Sequence, residues 1–157
     1  MADATFEEGR EAPLNLGAQE EEDLKVISAL VQDSVFPVTE MRWQASRHRF
    51  ALLINRFRWE DRAAAEKRAR AYERVQSLLV VDNVLGVASQ GVDRSDKDLV
   101  LSLLSLSFEP GDDGAGHLVL TLAGDGAIRL SVEAIDVSLR DVTRPYTAPS
   151  GTAPDHG

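Results

Sequence analysis

Apolar residues along this chain recur at two different intervals, and the change between them divides it. In EEEDLKVISALVQDS, Leu24, Ile27, Leu30 and Val31 fall at helical spacing. Glu20 to Asp23 put negative charge in the first turn, where the helix dipole favours it. This predicts a helix that lays one apolar stripe on a sheet. After it the interval shortens. Val35-Phe36-Pro37-Val38 and Met41-Arg42-Trp43 read as extended, and Pro37 calls for an edge or a bulge because it has no amide proton for a ladder. Ala45 to Arg49 turns the chain into a strand over Phe50–Phe57, although helical spacing also fits Phe50, Leu53, Ile54 and Phe57. Before the helix, Pro13 to Leu16 fits a short edge strand.

Asp61 to Ala71 is rich in alanine and charge but has no apolar stripe, so it predicts a short, solvated helix. Tyr72 to Val81 then runs into Asp82-Asn83, a two-residue turn, with Val84 to Ser89 returning as the hairpin partner. Residues 91–98 read as loop. Leu99 to Phe108 reads as a central strand, apolar on both faces at first and then with Leu104, Leu106 and Phe108 on one face. Pro110 to Gly116 is loop. His117–Leu122 and Ala127–Val132 alternate around Gly124-Asp125-Gly126, the clearest hairpin signal in the chain. Ile135, Leu139 and Val142 stand at i, i+4 and i+7 and predict a closing helix from Glu133 to Val142, with a strand as the alternative. No internal repeat is visible in the sequence.

This order predicts an α+β domain. Its sheet is mostly antiparallel, with six to seven strands forming a curled sheet or split barrel, one N-terminal helix and a C-terminal capping helix. Pleckstrin-homology-like folds are the favoured analogy. The expected organisation is an acidic flexible tail at 1–12, a single domain at 13–142, and a proline- and glycine-rich disordered tail at 143–157.

Composition narrows the chemistry. The chain has 157 residues and no cysteine, which removes disulfides, thiolate metal sites and cysteine nucleophiles. The longest apolar run, FALLI, is too short for a membrane span, and no signal peptide is visible; the expected setting is the cytoplasm. Net charge is −9, which argues against nucleic acid or an anionic membrane as the main partner. The charge is uneven, however. Residues 42–74 hold ten basic against four acidic residues, a basic island in an acidic chain. The island either pairs with acidic residues of its own chain or binds an anionic partner.

No motif supplies a reaction. The three histidines, His48, His117 and His156, lie far apart and have no metal-binding helical spacing. Asp93, Asp96 and Asp98 lack the glycine and closing glutamate of a calcium loop, and Arg94 and Lys97 interleave with them. The glycines of GDDGAG and AGDGA lie between strands beside aspartates that would repel phosphate. No residue is nominated as catalytic, cofactor-binding or metal-binding, and the chain reads as a binding protein rather than an enzyme.

The basic island contains RHRFALLINRFRWE, Arg47 to Glu60. As a strand it puts Phe50, Leu52, Ile54, Arg56 and Arg58 on one face, and Ala51, Leu53, Asn55, Phe57 and Trp59 on the other. Late arginines and late aromatics therefore point apart, unlike a nucleic-acid platform, which needs both on one surface. The first face reads as core up to Ile54. Asn55, Arg56, Arg58 and Trp59 then form the candidate interaction surface, a charged rim for a protein or anionic partner. RNA binding through residues 42–74 and a small-molecule or accessory role in a biosynthetic pathway are the alternatives.

Five segments carry a resemblance: PLNLGAQEEEDLKVISALVQDSV, RHRFALLINRFRWE, ERVQSLLVVDNVLGVASQGVDRSD, LSLLSLSFEP and GAIRLSVEAIDVSLRDV. Together, from Pro13 to Val142, the chain resembles a small alphaproteobacterial family of unknown function. The resemblance implies no activity, cofactor or catalytic residue. It implies that such genes neighbour those of histidine and cell-wall precursor synthesis. Asp61 to Ala71 is longer than the family pattern.

Overall fold

The computed structural model describes residues 13–58 and 73–143, and the backbone of 146–147. The expected helix over 61–71 and the two tails lie outside the described residues, apart from the first residues after 142. Helix α1 (Glu21–Val31) forms where its stripe predicts, burying Leu24, Ile27 and Val31, with Glu21, Glu22 and Asp23 in its first turn. Eleven strands follow the chain in one sheet: β1 (Asn15–Ala18), β2 (Ser34–Pro37), β3 (Met41–Gln44), β4 (Arg49–Phe57), β5 (Glu73–Val81), β6 (Val84–Gln90), β7 (Val100–Pro110), β8 (Gly116–Leu122), β9 (Ala127–Val132), β10 (Val137–Asp141) and β11 (Tyr146–Thr147). The helix packs mainly on β7, where the Leu106 N–H donates to the Ser28 hydroxyl at 2.9 Å.

The strand order is β1-β10-β5-β4-β2-β7-β8-β9-β6, with β3 also on β4 and β11 also on β5. Setting β1, β3 and β11 aside, this order is symmetric about the β2–β7 pair when strands are matched by their position within each half. Strands β2, β4 and β5 form one meander, and β7, β8 and β9 form a second, joined where β2 pairs with β7. Each fourth strand then leaves its own meander. β6 crosses to flank β9, and β10 crosses to flank β5. The two crossovers touch. The Asp82 N–H donates to Asp136 O at 2.9 Å and the Glu133 N–H to Asn83 O at 3.0 Å. Asn83 takes φ +60°, a left-handed conformation that asparagine tolerates better than most residues. The two halves thus share a topology without sharing a readable sequence repeat.

Three expectations are corrected here. Asp82-Asn83 does turn the chain, but Val84–Gln90 is not a hairpin partner of β5, because its ladder lies with β9. The predicted helix from Glu133 to Val142 is instead strand β10. Val137, Leu139 and Asp141 alternate inward, while Val142, which helical spacing placed in the core, is 46% exposed. Only Ile135 and Leu139, four residues apart, fit both periods; Val142, three residues beyond Leu139, fits the helical period alone and falls on the other face of a strand. Finally, among the described residues eleven strands replace six or seven, the sheet is not closed and no C-terminal helix caps it, so the pleckstrin-homology-like analogy loses its main support.

Local chemistry explains the extra breaks. A one-turn helix at Val38–Glu40 separates β2 from β3. Pro37 ends β2, which pairs with β4 only at Val35, so the missing amide proton falls where that ladder stops. In β7 a bulge between Leu103 and Ser105 lets both Leu103 and Leu106 face the core. One continuous core results. It joins Phe50, Leu52 and Ile54 of β4 to Leu118, Leu120 and Leu122 of β8, with α1 packed on the same cluster.

Candidate functional site

The far end of β4 was the surface singled out by sequence. Alternation places Arg56 on the inward face, directly after Phe50, Leu52 and Ile54, and it is completely buried. A lone guanidinium there would be very costly, so the neighbouring strands supply its partners. Ser77 of β5 stands opposite Ile54, one inward step from Arg56, and Asp141 of β10 stands opposite Ser77. Arg56 Nη2 donates to both oxygens of Asp141 at 3.0 Å, and Nε donates to the Ser77 hydroxyl at 3.0 Å and to Asp141 Oδ1 at 3.2 Å. Ser77 donates to Asp141 Oδ1 at 2.6 Å. The other carboxylate oxygen, Oδ2, accepts the Leu14 N–H at 2.9 Å. The cluster ties β4, β5, β10 and the segment entering β1 together inside the protein.

Arg58 is also buried and donates through Nη1 to Glu73 Oε1 at 3.1 Å. Phe57 is buried too, with the Arg74 guanidinium 4.2 Å above its ring centre. Asn55 is half-buried, opposite Val35 on one side and Gln76 on the other. Trp59 lies outside the described residues. Of the six described arginines in residues 42–74, Arg49, Arg56 and Arg58 sit in ion pairs within the chain, Arg49 with Asp82 at 2.8 Å. Much of the described island is therefore neutralised internally.

The described surface offers a different feature that sequence reasoning missed. β3 and β6 border a groove of about 400 Å³. Its floor is Val38, Phe50 and Ile128, all buried core residues. One wall is Met41 and Trp43 of β3, the other Val87, Ala88 and Ser89 of β6, and Arg94 is the one charged residue lining it among the described residues. Trp43 is 36% exposed. At one end the walls are pinned together: the Val84 N–H donates to His48 O at 2.9 Å, and His48 Nδ1 lies 3.1 Å from Val84 O. The loop carrying Arg94 is shaped by Asp93, whose Oδ1 accepts from the Ser95 hydroxyl and, at 3.0 Å, from the Ser95 N–H. These bonds, the hydroxyl's first, hold the Asp93 carboxyl below its usual pKa. A tryptophan within the extended stretch Met41-Arg42-Trp43 was the one sequence signal for this groove; the approach of β6 to β3 depends on the crossover and had none.

A shallower polar hollow of about 280 Å³ lies on the outer face of β4, β5 and β10, between Arg49 and Arg140. Among the described residues no group of three or more His, Asp or Glu side chains converges as a metal site, and no helix is long and apolar enough to cross a membrane. No curated protein and no solved structure matches the chain. Residues 14–156 match the family described as protein of unknown function (DUF2948), and with nearly its whole length covered, the chain belongs to that family.

Proposed function

We propose that this chain is a non-enzymatic interaction module that takes a protein partner in the groove between β3 and β6. The observation that carries this reading is the described lining of that groove: an apolar floor, a partly exposed Trp43, small residues at Ala88 and Ser89, and the cation of Arg94. Binding sites commonly combine apolar walls with a few placed polar groups. The groove is preferred to the far end of β4 because Arg56 and Arg58 are buried and already engaged with Asp141 and Glu73.

Capture from an extract of the host, using the immobilised full chain, tests this. Ala88 is exposed, so Ala88→Arg fills the groove without disturbing the core. The wild-type chain and a control, Val26→Lys on the exposed face of α1, are expected to recover the same partner, and Ala88→Arg to lose it. Equal recovery by all three would refute the groove as the docking surface.

A further inference from the structure

We infer that the occupant of the β3–β6 groove is an extended, acidic and apolar segment of another protein, added as a strand antiparallel to both walls; this rests on the binding reading above. The first support is the state of the two edges. Among the described residues β3 pairs only with β4, and β6 only with β9, so within the described sheet each presents one unpaired edge. Unpaired strand edges are templates for a further strand, and main-chain bonds supply affinity in that mode of recognition. The contact of Val84 with His48 pins one end only, leaving Gly86 to Gln90 open.

Direction is the second support. β2 and β3 are both antiparallel to β4, so they run in the same sense. From β2 the ladders pass through β7, β8 and β9 to β6, each step a reversal, and an even number of reversals leaves β6 running in the sense of β3. The two walls cannot pair antiparallel with each other. A single incoming strand of opposite sense is antiparallel to both, continuing the pattern of every other pairing in this sheet.

Side chains set the rest of the chemistry. Alternate residues of such a strand would face Val38, Phe50 and Ile128, which calls for apolar side chains at every second position. Arg94 is exposed and makes no ion pair among the described residues, so an acidic residue complements it.

Panning a displayed random octapeptide library against the full chain tests the inference. The expected pool alternates apolar residues and is enriched in Asp and Glu. Arg94→Glu should bind that pool about tenfold more weakly, the loss of roughly one charge-pair interaction, and should itself select Lys or Arg. N-methylation of one residue within the alternating run should abolish binding of a selected peptide. Helical spacing in the pool, indifference to Arg94→Glu, or tolerance of N-methylation would overturn the inference. Peptides that lack alternation yet fail to bind Ala88→Arg would sink it while leaving the groove reading intact. Peptides that bind Ala88→Arg as well as wild type would sink both. A dimer in sedimentation that Arg94→Glu dissolves would assign the groove to a second copy of this chain and would also overturn it.

Discussion

Replacing Arg56 by methionine is expected to destabilise the domain by about 3–5 kcal/mol, the cost of leaving one member of a buried ion pair behind. The Asp141 carboxylate would keep its bonds from Ser77 and Leu14 but lose its counter-charge in the interior. For a chain of this size that corresponds to a fall in Tm of roughly 10 °C. Asp141→Leu in the same chain removes the stranded charge, so the double variant should recover much of the loss, as apolar replacements of whole buried pairs often do. Urea denaturation of the two single variants and the double variant measures this. A single-variant loss below about 1 kcal/mol, the range of surface pairs, would contradict the buried arrangement. The same reasoning limits charge reversal at Arg56 and Arg58 as a binding experiment, because such a variant would lose its fold before it lost a partner.

Phe36→Ala carries the second large effect. Phe36 is completely buried in β2, opposite Leu101 of β7, in the strand that joins the two meanders. Truncation removes the ring from a closely packed core and leaves a cavity, costing about 3–5 kcal/mol. The loss should appear as a lower denaturation midpoint with the slope unchanged. A change below about 1 kcal/mol would mean that β2 does not hold the halves together as described.

Elements with local causes were legible in the sequence. The stripe of Leu24, Ile27 and Val31 gave α1, and Gly124-Asp125 with alternation on both sides gave the β8–β9 hairpin, where both turn residues take positive φ. Alternation also assigned the faces of β4, including the inward direction of Arg56. It could not say that Arg56 stays inside, because Asp141 and Ser77 come from strands far along the chain. The same limit explains β6 and β10. Asp82-Asn83 has hairpin chemistry, yet the partner strand is chosen by the crossover, where Asp82 bonds to Asp136 and Glu133 to Asn83. Since β6 was placed beside β5, the groove between β6 and β3 could not be foreseen, and Arg94 read only as an interruption in an acidic loop.

A partner bound in the proposed groove would cover β3 and β6 and leave the far end of β4 untouched. Amide hydrogen exchange of the full chain, with and without a saturating octapeptide selected on it, tests this most directly. Exchange is expected to slow in Met41–Gln44 and in Gly86 to Gln90, with no change at Asn55 to Arg58 or in β5. Slowing at Asn55 to Arg58 with the groove strands unchanged would contradict it.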